Sequence, residues 1–474
     1  FPISKKNSRF KFKNYKFKNK LNPLQAVAYA LTSVKQFNFN YNENNGIVLP
    51  GLLSAPNFYG YGQTLGGPTV GFLLGSQADI RRTVIENGWV SSSRLMNDPY
   101  SELNNRTITG DLQIMPANDL RIDFNIMQNY SRNYVQGGYN VVDESTNYKA
   151  YRDAFGTELI THSNTAWSFN TAFKADGEIY KLIKENALAI SQQYEGIRDI
   201  DGFTAGYSKS NSYVLIPAFK AAIEGKSPKK IGNPTKAGIP LPNWKLVYSG
   251  LRNLPIINSQ FSKFDILHSY ISTYTMSGVQ ASVDYFKRDL RDPSTAYDSN
   301  GNRYNPYTFT QVGYVEAFSP LVGFDVTMRN NMQFRFNYNR DRTYLLGLVN
   351  TTLTEELGNE FVVGYGYILK DLKIRINYKG KGRDIKSDLN MRADLSMRDS
   401  KTTITNILID DSQVTGGQKI FSLKLSADYN MSQNLNLKFF YDQMMTKYKI
   451  STAFPLSTVR AGITATMTFG GTTN

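Results

Sequence analysis

The chain has two histidines, His162 and His268, and no cysteine. Neither histidine has a partner at metal-site spacing, and both fall in alternating runs, where they read as ordinary strand residues. No Gly-x-Ser-x-Gly elbow and no phosphate-binding loop is present. Gly60-Tyr61-Gly62-Gln63-Thr64-Leu65-Gly66 imitates a dinucleotide fingerprint. The strand–helix–strand unit that would aim such glycines at a pyrophosphate is missing around it. Asp298-Ser299-Asn300-Gly301-Asn302 begins like a Ca²⁺ loop but lacks the closing bidentate Glu, and reads as a loop-tip turn. The acid pairs Asp410-Asp411 and Glu355-Glu356 sit at expected loops, with nothing to aim a carboxylate dyad. No catalytic, cofactor-binding or metal-binding set emerges, so the expectation is a protein that is not an enzyme and carries no cofactor.

What the sequence does repeat is charge. Arg335, Lys373, Arg375, Lys379, Arg392, Arg398, Lys424, Lys438 and Arg460 alternate with apolar residues, and the acids among them are Asp394, Asp428 and Asp442. A tightly filled interior would need its charges paired, and nine bases against three acids cannot all pair locally. The expected setting is a wet, mildly positive wall. Arg335, Arg375, Arg392, Lys424, Lys438 and Arg460 should face a lumen. Their neighbours Phe334, Phe336, Ile374, Ile376, Leu423, Leu425, Leu437 and Phe439 should face lipid.

The elements that must position these residues are β-strands. Val459 to Phe469, Leu435 to Asp442, Phe421 to Asn430 and Leu389 to Arg398 each alternate apolar with polar or Gly at period 2, the pattern of a transmembrane barrel strand. No run approaches 18 apolar residues, so helical spans are not expected. Tyr 31 and Phe 28 against Trp 3 supply aromatic girdles, and the lack of cysteine suits a chain that crosses an oxidising periplasm. The reading is an all-β transmembrane antiparallel β-barrel of about 14 strands in the bacterial outer membrane. The start at Phe1-Pro2, without initiator Met or signal peptide, suggests a mature or internal piece of a longer chain. Net charge is +15, partly from lysines and arginines crowded into residues 5–20. That tail suits solvent, an acidic partner or lipid headgroups, and the remaining charge makes no groove-sized patch for nucleic acid.

The chain divides into a basic segment with a short helix (1–34), barrel strands (35–175) that contain a large extracellular segment (44–100), a periplasmic helical insert (176–260) and C-terminal barrel strands (261–470). Counting strands back from the C-terminus puts 116–119, 176–260, 329–331, 369–371, 399–401 and 430–434 at the periplasmic end. The longer connections 44–100, 135–157, 281–308, 347–357, 380–386, 410–416 and 448–455 fall outside. Asp176 and Pro217 are expected to open two helices of the insert. Segment 44–100, too long for a hairpin loop, is expected over the outer mouth, with Leu52, Leu53, Phe58, Tyr59 and Tyr61 as candidate gate or partner contacts.

Several motifs resemble the C-terminal region of the SprA/Sov family. They include Asn44-Asn45-Gly46 with Leu49-Pro50-Gly51, Gly71-Phe72-Leu73-Leu74-Gly75-Ser76-Gln77, Asp79-Ile80-Arg81 and Asn87-Gly88-Trp89. Pro242-Asn243-Trp244, Tyr248-Ser249-Gly250-Leu251, Phe318-Ser319-Pro320-Leu321-Val322-Gly323, Gly416-Gly417-Gln418-Lys419 and Ser451-Thr452-Ala453-Phe454-Pro455 continue the match, in order, over roughly 20–470. That family forms the outer-membrane translocon of the type 9 secretion system, which also serves gliding motility in motile members. The resemblance implies that these strands are an arc of a much larger barrel. It also implies the remaining N-terminal portion of the same translocon, a porin-like shuttle barrel of the PorV type at a lateral opening, a plug protein, and secreted cargo with a C-terminal secretion domain. Two other readings compete: a self-contained 14-stranded passive porin or small-solute transporter, and a soluble all-β enzyme or carbohydrate-binding protein.

Overall fold

The computed structural model describes residues 33–54, 70–141, 148–169, 171–229, 235, 238–287, 296–378, 381–432, 434–450 and 452–468. The basic run 5–20, nearly all of the helix expected at 24–34, and Phe469 lie outside them. Period-2 alternation folds here as β-strand because successive side chains of a pleated chain point to opposite faces. The strands are β1 (Val34–Val48), β2 (Tyr100–Ala117), β3 (Leu120–Gln136), β4 (Gly156–Thr165), β5 (Asn243–Tyr248), β6 (Phe261–Ala281) and β7 (Tyr307–Thr308). They continue with β8 (Gln311–Met328), β9 (Met332–Gly347), β10 (Thr352–Tyr378), β11 (Lys381–Asn406), β12 (Asp411–Ser432), β13 (Leu435–Tyr448) and β14 (Leu456–Met467). All pairings are antiparallel, in the order β1-β2-β3-β4-β6-β8-β9-β10-β11-β12-β13-β14, with β5 and β7 attached at the side. Among the described residues no helix is long and apolar enough to cross a membrane. Nor do the described residues include a ladder between β1 and β14, the first and last strands of the path.

The strand number matches the sequence reading, but several strands are longer than the sequence suggested. Lys370-Asp371, expected as a turn, is a bulge inside the 27-residue β10, with the register slipping between Leu369 and Leu372 and Asp371 at φ 58°. The extra residue switches the apolar phase from odd to even positions, and that switch imitates a turn in sequence. Asp399-Ser400 also continues as strand, paired with Lys419 and Gln418. A second slip, in β12, falls between Val414 and Gly416; beside it, a Cβ on Gly417 would stand 2.5 Å from the Ser400 carbonyl oxygen.

Losing two turns together preserves the parity of the rest. Tight reversals at Ala117/Leu120, Met328/Met332, Tyr378/Lys381 and Ser432/Leu435 share one end of the sheet. Connections 49–99, 137–155, 282–310, 348–351, 407–410 and 449–455 share the other. The reversal near 380, expected among the long connections, belongs to the tight-turn end.

The expected strand 158–174 is cut short. β4 ends at Thr165, and β5, from Asn243, takes over the same lane between β3 and β6. The chain between leaves the wall at mid-lane and carries two helices, α2 (Glu178–Ser191) and α3 (Ser212–Glu224), the label α1 being kept for Arg81–Glu86. Pro217 does not open α3; it lies within it, and Asn211 caps the start by accepting from the Tyr213 N–H at 2.9 Å. Gly225 ends the helix in the left-handed region, φ 63°. Ile183, Ala187, Val214, Leu215, Phe219 and Ile223 of the two helices join Met276, Val279, Val312, Tyr344, Leu346, Leu353 and Ile407 of the wall in the main core. These wall residues lie at the long-connection end, opposite to the end expected for the insert. Once the chain leaves at mid-lane, its helices cover the apolar strand ends they can reach.

Candidate functional site

Residues directly opposed in an antiparallel ladder share a face, so the registers sort every strand. One row crosses eight strands: Phe264, Val326, Phe334, Tyr365, Ala393, Leu425, Tyr441 and Ala461. The adjacent row, on the other face, reads Asp265, Asp325, Arg335, Gly364, Asp394, Lys424, Asp442 and Arg460. The sheet has an apolar face and a polar face, and the two hold in phase across β6 to β14. Phe334, Phe336, Ile374, Leu423, Leu425, Leu437 and Phe439 all stand on the apolar face; the side chain of Ile376 is outside the described set. Arg335, Arg375, Arg392, Lys424, Lys438 and Arg460 all stand on the polar face.

The polar face is not the unpaired basic wall expected. Asp394 and Asp442 flank Lys424, Asp428 opposes Lys438, and Arg460 opposes Asp442. Farther along, Lys263 reaches Asp325 at 2.8 Å, Arg398 reaches Asp341 at 3.0 Å and Arg375 reaches Asp384 at 3.8 Å. Sequence reasoning missed Asp265, Asp325, Asp341 and Asp384, because which acid opposes which base is set by register and not by position along the chain. Gly364 makes room in the charged row: a Cβ there would lie 2.9 Å from Asp394 Oδ1. The arrangement is a mixed-charge surface suited to water.

The apolar face has two zones. Toward the long-connection end α2, α3 and residues 166–169 and 171–173 cover it. The fully buried Glu316 accepts from the Ala172 N–H at 2.7 Å and from the Tyr270 hydroxyl at 2.7 Å, and Thr171 also donates to it. Tyr270 in turn accepts from the Ser168 N–H at 2.9 Å and stacks on Trp244, ring centres 4.5 Å apart. This knot seals the place where the chain leaves the wall. His268 bonds the Leu321 carbonyl through Nδ1 at 2.7 Å, and His162 is buried in the wall. Toward the tight-turn end the apolar face is bare, with Phe37, Phe39, Phe334, Ile374, Leu425, Phe439 and Ile463 exposed. Bare apolar area running from β1 to β14 exceeds what a soluble monomer ordinarily shows.

Residues 49–54 and 70–99 dock on the same face, against β2 and β3. Ile80, Val84 and Val90 bury with Tyr100, Tyr134 and Tyr139, and Leu52 packs on that cluster. Leu53 is exposed, and Phe58, Tyr59 and Tyr61 lie outside the described residues. The anchor is Arg81, 1 % exposed. Its guanidinium bonds Asp79 at 2.8 and 2.9 Å and the Tyr134 hydroxyl at 3.0 Å, and lies 4.4 Å from the Tyr100 ring centre. Burial pushes the Asp79 carboxyl up, but Arg81 outweighs it and holds the group below its ordinary range. Across the covered zone, α2 is pinned by Asp410 of the turn 407–410, which accepts from Lys184 and Tyr180; these two donors hold Asp410 below the usual carboxylate range. Among the described residues no cluster of three His, Asp or Glu could hold a metal. No family model and no curated protein matches this chain.

Proposed function

We propose that this chain is part of the wall of an outer-membrane channel that exports folded proteins, as the C-terminal region of a type 9 secretion translocon of the SprA/Sov kind. What supports the membrane part is the phase coherence of an apolar face and a mixed-charge face across β6 to β14, which suits lipid on one side and an aqueous lumen on the other. A wall that meets lipid cannot leave an open edge, since unpaired N–H and C=O groups in hydrocarbon cost several kcal/mol each. β1 and β14 each have one neighbour among the described residues. This supports an arc whose edges pair with further backbone of a larger barrel, the remaining N-terminal portion of the translocon on this reading. The ordered sequence motifs support the secretion role. The covered zone, where residues 70–99 and the helical insert sit on the strand ends, is the place for contacts with a plug protein, a shuttle barrel or the cargo.

The test is export. Depleting the protein in its native bacterium should trap folded cargo bearing C-terminal secretion domains inside the outer membrane, and restoring it should release them. Export that continues undiminished in depleted cells removes the translocon reading.

A further inference from the structure

Phe361, Met397, Phe421 and Met445 form one cross-strand row on the bare apolar face, over β10 to β13. They line a groove of about 560 Å³ bounded at the side by Ser457 of β14, which opposes Met445, and by Pro455. Met397 and Met445 are 54 % and 45 % exposed, so the groove is open along its length. The next row on the same face, toward the long-connection end, reads Asn359, Asp399, Lys419 and Lys447. Asp399 bonds Lys449 and reaches Lys419 at 3.4 Å. Among the described residues no acid lies within ion-pair reach of Lys447. Three lysines thus face one aspartate at one mouth of an apolar groove. At the other end of the band the row Leu389, Tyr429, Leu437 and Ala465 is uncharged.

We propose that this groove binds a membrane lipid with an anionic phosphate headgroup, drawn from the leaflet at the long-connection end. The acyl chain lies over Phe361, Met397, Phe421 and Met445, and Lys419 and Lys447 hold the phosphate. The site rests on the membrane reading above. Its geometry agrees with that reading: six residues separate Lys419 from Leu425, about 20 Å of strand, or about 16 Å along the normal at a tilt near 40°. That puts the lysines at the edge of a hydrocarbon core roughly 30 Å thick when Leu425 is at its centre. Long cationic side chains reach out of hydrocarbon there while their stems stay on apolar surface.

The test is native mass spectrometry of the full-length protein, purified from the outer membrane in detergent and titrated with dioleoyl phosphatidylglycerol or dioleoyl phosphatidylcholine. The wild type should retain the anionic lipid about 25-fold more tightly, since each lysine near a headgroup is worth about fivefold. Lys419→Gln with Lys447→Gln should erase that preference, and Met445→Trp, which fills the groove, should weaken both lipids. Lys226→Gln with Lys245→Gln, an equal charge change elsewhere in the chain, should alter neither. Equal retention of the two lipids by the wild type, or a preference that survives the double substitution, overturns the site and leaves the membrane reading intact. Loss of a bound protein from the double variant with lipid retention unchanged makes the groove a protein interface and also overturns it. A wild-type protein that stays in solution without detergent and retains neither lipid overturns the membrane reading, and the site falls with it.

Discussion

Leu425 and Ser426 are neighbours in β12 on opposite faces, and replacing each with arginine separates the two faces by free energy. Leu425 lies between Ala393 and Tyr441 on the apolar face and is 40 % exposed in the isolated sheet. It stands midway along an apolar stretch that begins beside Lys419 and ends near the reversal at Ser432/Leu435. From 419 to 431 the strand rises about 41 Å, or about 31 Å along the normal at a tilt near 40°, the thickness of a hydrocarbon core. Leu425→Arg therefore places a guanidinium close to the midplane, at a cost of roughly 2–4 kcal/mol. Ser426 opposes Arg392 and Phe440 on the polar face, with Asp428 two residues on. An arginine there stays in water and should cost within about 0.5 kcal/mol. The assay is a urea titration of the full-length protein reconstituted in lipid vesicles, comparing the midpoint of each variant with wild type. Equal destabilisation at 425 and 426, or a larger effect at 426, would refute the face assignment and with it the lipid-facing reading.

Arg81→Met should undock segment 80–96. Asp79 loses its main partner but still has Arg152 at 3.8 Å, so the cost should be near the lower end of the 3–5 kcal/mol typical of a broken buried pair. Hydrogen exchange over 80–96 should then speed up by about a hundredfold, and unchanged protection would dismiss Arg81 as the anchor. Because Asp410 is held low in the folded state by Lys184 and Tyr180, its contribution is present above the unfolded carboxylate pKa of about 4 and is lost as pH falls through the lower folded value. Protection of the first turns of α2 should hold from pH 7 to 5 and weaken below about 4, while Asp410→Asn should weaken it already at pH 7. Glu178, held low by Lys174, acts in the same direction, so the variant should keep a smaller acid step. A flat profile in the wild type would rule out this pin. Finally, cysteines scanned along Phe37–Tyr41 against Val459–Ile463 should give no intrachain disulfide in the assembled protein. Neighbouring strands lie about 4.8 Å apart, so efficient cross-linking would mean a closed 14-strand ring and favour the porin.

The sequence determined the strand class and the face of almost every strand residue, because period 2 is a local property of an extended chain and needs no partner to be read. Phe334 and Arg335, or Leu425 and Lys424, could be assigned without knowing what lay beside them. Parity of the connections survived for the same reason: two false turns cancel in a count. Tertiary structure decided what depends on pairing. Lys370-Asp371 is a bulge and not a turn because β11 runs past it unbroken. The acids that balance the basic residues arrive from neighbouring strands, so Asp325 meets Lys263 and Arg335 only through register. The helical insert carries no sequence signal for which end of the wall it covers. Its position follows from the break between Thr165 and Asn243, where one lane is built from two pieces far apart in the chain, and from the apolar strand ends that α2 and α3 can reach from that break.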